Sequence, residues 1–157
     1  DLSPVLYAAF ARPEWQFQFL GRRESNPLIK KLARLPNVSF LPPCPLLEVP
    51  RHLSRCQVLL NLLREEQADS DVIPIRMYEY LSTGRPIVSM LWPDQVEPFP
   101  DVVYGAHSNQ EFLTLCEHAL QELPSFVTGR RLAHGAAAAW SVRAQQVARI
   151  LETAGLL

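Results

Sequence analysis

Along this chain, short runs of three to six mostly apolar residues alternate with stretches whose apolar residues recur every three or four positions. The runs predict strands at Gln16 to Leu20, Val38 to Leu41, Val58 to Leu63, Ile87 to Leu91 and Val102 to Tyr104. Several of them are continuous in Val, Ile and Leu, the pattern of strands covered on both faces. The helical stretches are Val5 to Arg12, Pro27 to Leu35, Leu46 to Arg55, Pro74 to Thr83 and Asn109 to Leu123. Gly21, Gly84 and the scattered prolines mark the joints between elements. From Arg130 to Leu151 the strand signal stops and one long C-terminal helix is predicted. Its apolar face is Trp140, Ala144, Val147 and Leu151. The polar face opposite is not strongly basic, so this stripe is expected to pack across the domain rather than lie on a membrane.

Strand and helix in alternation predict an α/β fold with a mostly parallel sheet and helices on both faces. The 157 residues carry no internal repeat, low-complexity tract or linker, so residues 1–157 are read as one domain.

Charge and cysteine content narrow the picture only slightly. The formal net charge of -1 provides no global field toward nucleic acid or an anionic membrane. Two of the fifteen basic residues, Lys30 and Lys31, are lysines, and the other thirteen are arginines suited to phosphate if gathered in a cleft. Cys44, Cys56 and Cys116 form no Cys-x-x-Cys or zinc spacing, and free thiols in a reducing compartment are expected. His52 and Cys56 lie four apart but lack further ligands, and His107, His118 and His134 form no cluster. No stretch reaches the roughly 18 apolar residues of a membrane span, and Asp1-Leu2-Ser3-Pro4 is unlike a signal peptide. A cytoplasmic location follows as the expectation, with membrane association only through segments outside this chain.

The segment richest in chemistry is Pro74-Ile75-Arg76-Met77-Tyr78-Glu79-Tyr80-Leu81-Ser82-Thr83-Gly84-Arg85-Pro86. Pro74 suits the first position of a helix, and Gly84 suits its stop. The helix would start near the carboxyl edge of the sheet, where open α/β sheets bind ligands. Arg76 in its first turn offers a forked donor for a pyrophosphate. Glu79, three residues on, offers a carboxylate to the vicinal hydroxyls of a ribose. Spacing alone leaves open a solvated Arg76–Glu79 surface pair.

This segment resembles the donor-site segment of bacterial GT-B glycosyltransferases (group 1, family 4-like), with Arg76 where they commonly carry Lys. Pro13 to Gly21 resembles that family's second strand and closing glycine, Leu35 to Pro42 its next strand, and Trp140 with Arg143 its closing helix. The resemblance implies a single Rossmann-like GT-B half, the C-terminal donor-binding domain, with the family's first strand and N-terminal acceptor domain missing. It implies that Glu79 binds the ribose, Ile75 and Arg76 the pyrophosphate, Leu41 the base, and Gly21 with Arg22 the phosphate end. The family's second carboxylate falls at Asp71, which the residues alone also allow as a turn or cap acid.

The implied reaction is sugar transfer from a nucleotide diphosphate sugar to an acceptor hydroxyl. Arg76 and Asp71 would assist the leaving group and donor sugar, without metal or other cofactor. This chain alone would be inactive. Two alternatives stay open at this point: a non-catalytic α/β module of GT-B origin, and a sugar-nucleotide epimerase-like domain.

Overall fold

The computed structural model describes residues 1–62, 73–90, 99 and 101–156. Its strands are β1 (Phe17–Leu20), β2 (Val38–Leu41), β3 (Leu59–Asn61), β4 (Ile87–Met90) and β5 (Tyr104–Ala106). The helices are α1 (Ser3–Ala11), α2 (Pro27–Leu32), α3 (Val49–Leu53), α4 (Ile75–Leu81), α5 (Asn109–Gln121), α6 (Phe126–Ala137) and α7 (Trp140–Thr153). Several begin as the sequence dictates. Asn26 caps α2 by accepting from the Leu28 N–H at 2.8 Å, with Pro27 next in line. Ser108 caps α5 through the Glu111 N–H at 3.1 Å. Ser125 and Thr128 form a capping box on α6.

All pairings are parallel. β1 pairs with β2 from Phe17 opposite Val38 to Leu20 opposite Leu41. β4 lies between β3 and β5 in a second group. Among the described residues β1 and β3 do not pair with each other. The expected α/β arrangement, Rossmann-like with helices on both faces, is what the chain adopts.

Two cores explain why β4 is buried throughout. Val88 and Met90 enter a core built with Val5, Ala8 and Ala9 of α1, Leu32 of α2, and Phe112, Leu113 and Cys116 of α5. Ile87 joins Leu59, Met77, Leu81, Phe99 and Val102 in the second. Successive side chains of a strand point to opposite faces, so a strand between two helical layers cannot alternate apolar with polar. Phe17 belongs to the same core as Val88 and Ala106, which joins the two strand groups into one body. Burial of Cys116 in that core pushes its thiol up to about 12, with the neighbouring Glu117 charge adding to the rise.

Two expectations need correction. Residues Val102 to Tyr104 are not a strand; β5 begins where that run ends, at Tyr104. Asp101 has φ 64°, which turns the chain there, and Val102 is apolar because it fills the second core. The predicted long closing helix is two helices, α6 and α7, broken at Ala138 and Ala139, where Ala139 is extended (ψ 141°). The stripe on α7 does not pack across the domain: Trp140 is 80% exposed and Val147 55%. Helical periodicity identifies an apolar face but not what lies opposite it, and no residue of α7 is buried among the described residues. Arg143 reaches back, its guanidinium 6.0 Å from the centre of the Tyr78 ring.

A buried ion pair ties α5 to α6. Arg131, 1% exposed, grips Glu122 with both terminal nitrogens, and its Nε donates to the Val102 carbonyl at 2.7 Å. Tyr104 donates its hydroxyl to Glu122 Oε2 at 2.7 Å. Burial by itself would raise the Glu122 pKa. The bonds from Arg131 and Tyr104 and the Arg131 charge outweigh it, so the pKa lies below its ordinary 4.5. A carboxylate depressed on folding contributes stability above its unfolded value and loses it as pH falls through the folded one. Thermal denaturation should therefore show a loss of stability beginning below about pH 4.5, a component that Glu122→Gln removes. Arg131→Met, which strands a mostly buried carboxylate, should cost about 3 kcal/mol at pH 7 by urea denaturation.

Candidate functional site

α4 is held by its buried side. Met77 and Leu81 sit in the second core, and the backbone of Ser82 packs so closely on α6 that a Cβ at Gly135 would lie 2.7 Å from the Ser82 nitrogen. The helix begins at Ile75, with Pro74 one residue earlier than expected, in the capping position (φ -57°, ψ 135°). Gly84, at φ 69°, ends this segment, its N–H donating to the Leu81 carbonyl at 3.0 Å. Ile75 is 62% exposed, Arg76 is exposed, and Glu79 is half-buried, so the outer side of α4 carries the groups picked out from sequence. Asp71 lies outside the described residues.

Arg76 is not a free surface arginine. Its Nε donates to Asn61 Oδ1 at 3.0 Å. Asn61 in turn donates from Nδ2 to Ser89 Oγ at 2.9 Å, and Ser89 donates to the Met90 carbonyl at 3.1 Å. Asn61 and Ser89 are both fully buried, at the carboxyl ends of β3 and β4. Sequence reading missed both. The signal for them is a polar residue set inside an apolar run, since a strand covered on both faces has nowhere dry to leave an amide unbonded.

Arg76 and Glu79 make no hydrogen bond or ion pair with each other among the described residues, so the surface-pair reading does not hold. Both act on Tyr80: burial raises its pKa, the Arg76 charge lowers it, and the Glu79 charge raises it again, with a net rise.

A second group lies at the carboxyl ends of β1 and β2. The Gly21 N–H donates to the Leu41 carbonyl at 3.2 Å, which puts these two predicted residues side by side. Gly21 has φ 136° and open space where a Cβ would stand, so glycine is required there by the backbone and not by crowding. Arg22 lines a cavity of about 110 Å³ with Leu2, Phe19, Arg23, Ile29 and Phe40. That is well under the ~300 Å³ of a small-molecule pocket, so these residues offer a platform and not an enclosure. The platform is aromatic: Phe19 and Phe40 stack with centroids 4.9 Å apart, and Arg23 stands 4.4 Å over Phe40. Phe19, Phe40 and Arg23 were not anticipated from sequence as site residues. The backbone nitrogen of Asp1 donates to the Leu62 carbonyl at 3.0 Å, so residues 1 and 2 span from this platform to the end of β3.

A larger hollow, about 320 Å³, is bordered by Gln57, Arg85, Pro86 and Glu122. It lies at the amino ends of β3 and β4, the wrong edge for ligands of an open parallel sheet, and its carboxylate is already held by Arg131. We therefore place the site at the carboxyl edge. Among the described residues, no three His, Cys, Asp or Glu side chains gather as a metal would need. The Cys56 thiol donates to the His52 carbonyl at 3.6 Å, which makes this pair part of a helix end. No described helix is long and apolar enough to cross a membrane.

The family described as glycosyl transferase-like matches residues 4–150, nearly the whole chain. The chain belongs to that family. It is also similar to the Bacillus subtilis (strain 168) protein TuaH, named for glycosyl transfer in teichuronic acid biosynthesis, with 27% identity over 126 residues. The aligned part is 76% of this chain and 32% of TuaH, so the chain spans about a third of that relative. Within this glycosyl transferase-like domain, the Gly84 turn sets where α4 stops. A side chain at Gly84 would strain the backbone and press on Thr128 at 3.0 Å, whereas Gly129, inside α6, faces open space. By chemical denaturation Gly84→Ala should lose about 1–2 kcal/mol, and Gly129→Ala should gain about 0.5–1 kcal/mol.

Proposed function

We propose that this chain is the donor-binding half of a GT-B glycosyltransferase and that its carboxyl edge holds a nucleotide diphosphate sugar. One observation carries the reading: in a chain of the glycosyl transferase-like family, Arg76 is fixed at the carboxyl end of the sheet with its terminal nitrogens unbonded among the described residues. In this reading Arg76, with the Ile75 backbone, takes the pyrophosphate and stabilises the charge that gathers on the leaving diphosphate. Glu79 accepts from the ribose hydroxyls. Leu41 meets the base, and Gly21 with Arg22 borders the phosphate end. Asp71 is the candidate carboxylate near the donor sugar. The acceptor site and any general base come from an N-terminal domain, in keeping with a relative about three times as long as the stretch it shares with this chain. By analogy with TuaH, the transfer would serve the biosynthesis of a product of the teichuronic acid kind, and the reading needs no metal.

Calorimetric titration with UDP, GDP and ADP tests the reading. One of the three should bind, and Glu79→Ala and Arg76→Ala should each weaken it about tenfold or more. Absence of binding by all three to a protein that includes the N-terminal domain would rule the donor site out.

A further inference from the structure

We infer that Asn61 and Ser89 are positioning residues that hold Arg76 by its Nε and leave both terminal nitrogens to the ligand; this rests on the donor-site reading above. The hydrogen-bond chain has a fixed direction. A guanidinium can only donate, and the Met90 carbonyl can only accept. The two ends therefore demand the same arrangement: Asn61 turns Oδ1 to Arg76 and its amide nitrogen to Ser89, whose hydroxyl bonds Met90. With both amide groups used and Asn61 fully buried, neither the amide flip nor the rotamer is left to chance.

The anchor is also neutral, which separates Arg76 from the three arginines that carboxylates hold among the described residues. Arg12 is bonded to Glu117, Arg130 faces Asp101 and Arg131 is clamped by Glu122. Those carboxylates cancel the charge they hold. An amide oxygen fixes the Arg76 side chain and leaves its full positive charge for an anion. Attachment through Nε keeps the fork of the two terminal nitrogens out of the bond to Asn61, and that fork is the geometry that phosphate oxygens accept. A carboxylate at position 61 would hold the arginine more tightly and attract the ligand less.

Two measurements test this. In nitrogen-15 spectra the Arg76 Nε–H should exchange with water well more slowly than that of the exposed Arg22, and Asn61→Leu or Ser89→Ala should speed it. This arm needs no nucleotide, so it stands or falls apart from the donor-site reading. Equally fast exchange for Arg76 and Arg22 in the unaltered protein would overturn the anchor. The second arm titrates the preferred nucleoside diphosphate and its unphosphorylated nucleoside. Asn61→Leu should weaken the diphosphate about tenfold and Ser89→Ala about threefold, with the nucleoside unchanged. In an Arg76→Ala background Asn61→Leu should add little. Asn61→Asp, the variant that keeps an acceptor if the leucine fails to fold, should slow Nε–H exchange further yet still weaken the diphosphate. Wild-type diphosphate affinity in a folded Asn61→Leu or Asn61→Asp protein, with Arg76→Ala impaired, would overturn the positioning role and spare the donor site.

Discussion

Because Ile87, Val88, Ser89 and Met90 are all buried, β4 has to satisfy an apolar layer on each side and a hydroxyl as well, and the surrounding structure follows from that constraint. Val88 and Met90 draw α1 and α5 onto one face, and Ile87 draws α4 onto the other. Ser89 would be an orphan in such a place. Its hydroxyl donates forward to the Met90 carbonyl and accepts from Asn61 on the neighbouring strand. The buried hydroxyl thus fixes the amide that connects the sheet to the first turn of α4.

The order of elements was legible because the periodicities that predict them come from burial. Runs such as Val38 to Leu41 and Ile87 to Met90 need only a short strand between covering layers, and the strands found lie within or next to the predicted ones. Val102 misled because a core contact from a turn looks, in sequence, like a strand residue. The α7 stripe misled for the converse reason. Trp140 and Val147 recur as a packed face would, and the partner of a face is not written in its own residues.

Of the candidate site, the segment around Arg76 and Glu79 was legible, and so were Gly21 and Leu41, which stand together through a hydrogen bond. What was not legible depends on neighbours far along the chain. Asn61 lies 15 residues from Arg76 and 28 from Ser89, and only parallel pairing of β3 with β4 brings the three into one line. The stacking of Phe19 on Phe40 needs the β1–β2 register in the same way. Sequence reading could name the candidate groups at the carboxyl edge, but not the buried groups that hold them.

On the proposed donor-site reading, that difference bears on which side chain can stand at position 76. A lysine at position 76 would supply the charge as a point on a flexible stem, steered by whatever surrounds it. An arginine supplies a planar fork, which is useful only when its plane is held, and here the holding group must not cancel the charge. A buried asparagine meets both demands, and it requires in turn a second polar residue to fix its own amide. Arg76, Asn61 and Ser89 form one hydrogen-bonded unit that runs from the carboxyl edge into the interior of the sheet.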